Sequence, residues 1–194
     1  MRVLGIDCGS QVTGYGLIES DGRRHHALAQ GSIRLPRAAD EPLALRLHRI
    51  HTRLTELIAE HRPDCVAIED VFYAQNVRSA LILSHVRGVA MQAAAACGLE
   101  VAEYTPLAIK SAITGYGRAE KQQVQHMVCV LLQLREAPDS LDASDALAVA
   151  LCHLHTLGPA ACAAGEVRAG RGRQRPPARK REARRSRAGA RANS

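Results

Sequence analysis

Three apolar runs separated by turn-forming residues open the chain before any helical periodicity sets in, and this beginning limits the folds available. "RVLGID" (2–7), "TGYGLIES" (13–20) and "HHALAQGSIRL" (25–35) are divided by "CGSQV" and "SDGRR". Connections that short suit hairpins rather than crossovers, so the three strands are expected to form an antiparallel meander. Beyond Pro42 the period changes. Leu43, Leu47, Ile50, Leu54, Leu57 and Ile58 recur at steps of three and four, which predicts a helix to Arg62 with one buried stripe. "DCVAIED" (64–70) reads as a buried strand and "RSALILSHVRGVAMQAAAAC" (78–97) as a second long helix. "LEVAEYTP" (99–106) supplies a fifth strand, with Pro106 opening another helix. After "GYG" (115–117), "AEKQQVQHMVCVLLQL" (119–134) places Val124, Met127, Val128, Leu131 and Leu134 on one helical face. The last helix is expected from about Asp142 to His155, with Asp139 or Ser140 as its N-cap. Together these elements predict an α/β fold: a five-stranded mixed sheet with helices on both faces. Right-handed crossovers would set the ends of the first and fourth strands side by side.

The 194 residues suffice for one substantial core. We expect a folded domain over 1–157 and a basic, disordered tail over 158–194, where Ala, Gly, Pro and Arg leave almost nothing to bury. The formal net charge is +7, yet residues 166–194 carry 11 Lys/Arg against Glu166 and Glu182. The high pI therefore belongs largely to the tail, and whole-chain basicity says little about nucleic-acid binding by the domain. No stretch approaches the roughly 20 apolar residues that span a bilayer, so a cytoplasmic protein is expected. The six cysteines are scattered without a C-x-x-C pair, which predicts free thiols. "CHLH" (152–155) contains soft-metal ligand types, but at a helix end they read as dipole partners and packing.

The candidate chemistry lies in four acids. Asp7 and Glu69 end two strands that should be neighbours, and Asp142 and Asp145 share a face in the first turn of the last helix. Ligands of open α/β sheets bind outside strand ends. Crowded carboxylates repel unless a cation sits among them, and hard oxygen ligands favour Mg²⁺ or Mn²⁺. Two such ions about 3.5–4 Å apart stabilise the attacking and leaving oxygens of an in-line phosphoryl displacement. Taken alone, Asp142 and Asp145 are equally well explained as acids complementing a helix dipole.

"GIDCGSQVTGYG", "AIEDVFYAQN", "SHVRGVA", "AEKQQVQHMV" and "DASDALAVAL", in that order, resemble the RuvC family of Holliday junction resolvases in the ribonuclease H-like superfamily. The resemblance runs from Arg2 to about His155. It implies a homodimeric endonuclease that makes paired symmetric nicks in four-way DNA junctions during recombination and repair. The ends would be 5′-phosphate and 3′-hydroxyl. It also implies Mg²⁺, or Mn²⁺ in its place, with two ions per active site, and RuvA and RuvB branch-migration proteins as partners. By motif, Asp7, Glu69, Asp142 and Asp145 correspond to the metal-binding, catalytic carboxylates. Lys110 and Lys121 match lysines near the DNA, although a lysine at such a place is commonly a solvated surface group. Phe72 corresponds to a residue that stacks at the junction centre, with Tyr73 beside it facing oppositely if the segment is extended. Phenylalanine is more commonly a core anchor, so for this pair one member could be core and the other exposed. The chain departs from the family pattern at Cys8, where proline is usual, and at "SHVRG". Cys8 would put an oxidisable thiol beside a metal ligand.

Three alternatives stand beside this reading. "DCGSQVTGYG" resembles the phosphate turn of sugar kinases and actin-like ATPases, but residues 17–194 contain no second D-x-G turn. A non-catalytic nucleic-acid binder would have no use for four clustered acids. A ribonuclease H acting on RNA–DNA hybrids shares the acids, and chemistry alone does not separate it from a junction enzyme.

Overall fold

The computed structural model describes residues 1–36, 41–70 and 77–165. β1 (Arg2–Asp7), β2 (Val12–Ser20) and β3 (His25–Arg34) form the expected meander. With β4 (Cys65–Glu69) and β5 (Glu100–Tyr104) they make one sheet in the order β3-β2-β1-β4-β5. β1 is parallel to β4, and β4 to β5, so the ends of the first and fourth strands do lie together.

Side-chain alternation divides the core between two helical layers. On β1 and β4, Leu4, Ile6, Val66 and Ile68 pack towards α1 (Leu43–His61) and α2 (Val77–Ala96). Val3, Cys65 and Ala67 point the other way, towards α3 (Pro106–Thr114), α4 (Lys121–Leu132) and α5 (Leu141–Ala164). Thr105 caps α3 by accepting from the Ala108 amide at 3.2 Å. Of the two N-cap candidates for α5 it is Ser140 that serves, its Oγ accepting from the Ala143 amide at 3.1 Å.

α5 is the centre of its layer. Ala146 to Leu154 are all buried, and each fully buried leucine contributes about 1.5–3 kcal/mol relative to an exposed one. Its close seating requires glycines beneath it. A Cβ on Gly5 would come within 2.1 Å of the Ala146 carbonyl oxygen, and one on Gly14 within 2.0 Å of that of Asp142. Those backbone atoms cannot swing aside, so the sheet is bare where the helix lies on it.

Two expectations are corrected by α5. The expected last helix ended at His155 and everything from Gly158 was assigned to the tail, whereas the helix reaches Ala164. Gly158 (φ 78°) breaks the helical path, Pro159 restarts it, and Cys162 returns to the core at 2% exposure. A Gly-Pro pair ends many helices, but here the second piece finds a surface to pack on. By length and composition α5 is also apolar enough to cross a bilayer, contrary to the reading that no stretch comes near. In this fold it is a core helix, bent at Gly158 and carrying Asp142, Asp145 and His153. The segment 166–194 lies outside the described residues.

Gly5→Ala is expected to push α5 off the sheet, costing about 1–3 kcal/mol by the usual scale of overpacking. Chemical denaturation of the purified variant would measure it, and an unchanged midpoint would contradict the close seating.

Candidate active site

The same alternation that builds the core aims the acids. Asp7 follows Val3 and Gly5 on the α5 face of β1, and Glu69 follows Cys65 and Ala67 on that face of β4. The register Gly5↔Ala67 and Ile6↔Ile68 brings the two carboxylates next to each other at the strand ends. Asp145 reaches the same place from the first turns of α5. Together with Lys110 of α3 and Lys121 of α4, the three acids line a cleft of about 320 Å³ walled by Ile109, Val124 and Val149.

Asp142 is the fourth acid, and it sits at the rim. It does not line the cleft, and its backbone packs against Gly14, the residue paired with Asp7 across β1 and β2. Its charge is nevertheless felt by Asp7 and by Lys121. The structure thus brings three of the four acids and both lysines into one cleft, with Asp142 beside it. Phe72 and Tyr73 lie outside the described residues.

Burial and mutual repulsion dominate the electrostatics. Removal from water, followed by the charges of Glu69 and Asp145, pushes the Asp7 carboxyl from 3.8 up to about 7. Glu69 is also raised by burial. The hydrogen bond from Asp7 and the charges of Lys121 and Lys110 oppose that rise. The pair is therefore held as an acid donating to a carboxylate. Lys121 Nζ lies 2.5 Å from Asp145 Oδ2, an ion pair that raises the lysine further.

No group of three or more His, Cys, Asp or Glu side chains converges on one point closely enough to ligate an ion among the described residues. The donor set nonetheless fits a hard divalent cation. Three carboxylates face one cleft, the proton held at Asp7 occupies a position that a cation would compete for, and Asp145 has recruited Lys121 as a substitute countercharge.

Other positions are clarified. Cys8 does stand beside Asp7, but it is buried at 8% exposure, and burial followed by the Asp7 charge pushes its thiol up to about 12, which disfavours the oxidisable thiolate. His153 is buried between Tyr104 Oη, 2.8 Å from Nδ1, and Cys65 Sγ, 3.3 Å from Nε2, and burial pushes it down to about 4. His155 Nδ1 bonds the Ala112 carbonyl at 3.0 Å. Of the two imidazoles of "CHLH", His153 is thus packed in the core, whereas His155 is exposed and bonded to the backbone of α3, and neither stands at the helix end expected for them.

Sequence reasoning missed Arg46. It is 3% exposed, and its guanidinium donates to the Ser10 carbonyl in the turn that follows Asp7. Its position at i−4 from Ile50, on the buried stripe of α1, was the available signal.

The family described as Crossover junction endodeoxyribonuclease RuvC matches residues 3–153. The chain belongs to the RuvC family. A RuvC of Koribacter versatilis is 58% identical over 157 residues, covering 80% of this chain and 93% of that protein. One from Syntrophomonas wolfei is 48% identical over 87% of this chain and its own full length. Among solved structures, Thermus thermophilus RuvC superposes with a TM-score of 0.73 at 34% identity over 80% of this chain and 94% of its own. The same RuvC in complex with Holliday junction substrate matches equally well, at TM-score 0.73 and 31% identity, with the same coverage. The yeast mitochondrial resolvase Ydc2, with a TM-score of 0.58 and 13% identity, shares the fold. The architecture is the expected ribonuclease H-like five-stranded mixed sheet.

Because the folded state holds a proton on Asp7 that the unfolded chain releases near 3.8, Asp7 stabilises the cation-free protein fully below about pH 4. That stability is lost as pH rises through about 7. In EDTA, Asp7→Asn should therefore gain on wild type as pH rises from about 4 to about 7, by up to a few kcal/mol at about 1.4 kcal/mol per pKa unit. Thermal melts across pH read this directly, and parallel curves for the two proteins would refute it.

Proposed function

We propose that this chain resolves four-way DNA junctions as a divalent-metal-dependent endonuclease, cutting two strands symmetrically in DNA recombination and repair. The observation that carries the reading is the convergence of Asp7, Glu69 and Asp145 with two lysines in one cleft, in a chain of the RuvC family. The relatives' description as crossover junction endodeoxyribonucleases and the junction complex of the Thermus protein support the substrate.

Asp7, Glu69, Asp142 and Asp145 are the proposed ligands and catalytic carboxylates for Mg²⁺, or Mn²⁺ in its place, two ions per site. When bound, the ions supply Lewis-acid stabilisation of the attacking and leaving oxygens of the phosphodiester, giving 5′-phosphate and 3′-hydroxyl ends. The chain's own part is positional and electrostatic. Glu69 and Asp7 are fixed by strand ends, and Asp145 by a capped helix lying on glycine. The apolar wall keeps the cleft low in dielectric, which strengthens each charge interaction inside it. Lys110 and Lys121 offer cationic contacts for the phosphate strand on the side facing the acids. In this scheme Lys121 passes from Asp145 to phosphate once the acids have another countercharge.

Phe72, with Tyr73 beside it, comes three residues after Glu69 in sequence and is proposed to stack at the opened junction centre. The net charge of +9 over 166–194 is proposed to add non-specific DNA affinity and salt dependence. A homodimer is proposed with α2 at its interface. That helix is apolar around much of its circumference, leaves Val77 and Leu81 at 77% and 56% exposure, and has open space over Gly88. Cooperation with RuvA and RuvB, in the cytoplasm, completes the reading.

On a synthetic four-way junction with Mg²⁺, wild type should give paired, ligatable nicks. Asp7→Asn should give none while still binding the junction. Nicking retained by Asp7→Asn would overturn the site assignment, and cleavage of RNA–DNA hybrids in preference to junctions would move the substrate. Leu81→Arg should turn the dimer into a monomer by sedimentation and abolish the pairing of the two nicks. A dimer that survives would place the interface elsewhere.

A further inference from the structure

We propose that Arg87 is a positioning residue for Glu69, acting from the opposite face of the sheet. This rests on the reading of Glu69 as a metal-binding carboxylate. Strand alternation sets Glu69 and its partner Tyr104 towards α5, and therefore sets Asp70 and Glu103 towards α2. There Arg87, in the middle of α2, forms ion pairs with both: Nη2 lies 3.3 Å from Asp70 Oδ1 and contacts Glu103 Oε2. The Asp70 amide donates to the Tyr104 carbonyl at 2.7 Å, carrying the β4–β5 ladder one residue past Glu69.

Glu69 is thus fixed on three sides. Ile68 before it is in register with Glu103, Glu69 is itself in register with Tyr104, and Asp70 after it is tied to α2. A residue at a strand end is normally free to fray, turning its side chain through changes in ψ. Holding Asp70 removes that freedom without placing a positive charge in the cleft, where it would compete with a cation. In keeping with this, the charges felt by Glu69 include Asp145, Lys121 and Lys110, all on the α5 side. Arg87 Nε is buried without a hydrogen-bond partner among the described residues, while the side chain keeps 23% exposure and places Nη2 on both carboxylates.

The test combines direct metal binding with cleavage. In full-length Arg87→Gln, Mn²⁺ affinity, followed by the electron paramagnetic resonance of free Mn²⁺, should fall about 10-fold, the lower end for residues that orient metal ligands. The Mg²⁺ concentration for half-maximal junction cleavage should rise in parallel. Junction binding without divalent metal should stay within twofold of wild type, because the cleft itself is untouched. Arg87→Lys should recover part of the loss, and Asp70→Asn should reproduce part of it.

A purely structural role would lower the melting temperature and leave Mn²⁺ affinity unchanged, and that result would overturn the proposal. If Arg87→Gln does not fold, Asp70→Asn decides: an unshifted metal titration rejects the idea and a shifted one upholds it. Wild type that fails to cut the junction, or Glu69→Gln that cuts normally, would instead sink the functional reading beneath it.

Discussion

The close contact between α5 and a glycine-lined strip of the sheet is the constraint on which the rest of the molecule depends. Gly5 and Gly14 sit on neighbouring strands at points where any side chain would overlap the helix backbone. The contact lets Ala146, Ala150 and Leu147 bury completely against β1 and β2. It also fixes the height of the helix start above the strand ends. Asp145 can therefore meet Asp7 and Glu69 without a long side chain, and a short carboxylate is a stiffer donor than a long one because fewer torsions must be ordered. Packing and the convergence of the acids share one geometric cause here, so the glycines shape the cleft as much as the acids do.

Against that packing works the repulsion of the acids themselves. Asp7 holds a proton to about pH 7 because burial and its neighbours disfavour a second buried anion. Lys121 settles on Asp145 for the same reason. Both are the responses of a cleft preorganised for positive charge. Such a site is a local cost in stability that the surrounding core must cover, and the densely buried α5 and the alternating strands beneath it are where that stability resides.

How much of this was legible in the sequence follows from which physics is local. The strands, the helices and the placing of Asp7 and Glu69 at strand ends come from periods of two and 3.6, which each short stretch carries within itself. The pairing of β1 with β4 followed from the handedness of crossovers. What escaped depends on surfaces formed by distant residues. Pro159 to Ala164 read as tail because a composition of Ala, Gly, Pro and Arg offers almost nothing to bury, and only the assembled fold gives Cys162 a place to pack. Asp142 and Asp145 looked equivalent three residues apart, yet the approach of α5 to Gly14 leaves Asp142 at the rim. Arg46 and Arg87 were passed over because an arginine in a helix is ordinarily a surface residue, and their partners are distant: Ser10 lies 36 residues from Arg46, and Arg87 meets Asp70 just past β4 and Glu103 on β5.

Those two arginines suggest why the site is supported asymmetrically. Among the described residues, the acids and lysines that face the cleft lie on the α5 side of the sheet. The supports come from the other side, where Arg46 of α1 grips the turn after Asp7 and Arg87 of α2 grips the residue after Glu69. A cation used as a brace on the cleft side would neutralise the carboxylates and occupy the space a divalent ion needs. Placed behind the sheet, the same cation keeps its hydrogen bonds to backbone and to carboxylates that face away. The intervening strands, which hold both acids, transmit position from one layer to the other. A sheet is well suited to this separation, because alternate residues of one strand end face opposite layers and can serve opposite purposes.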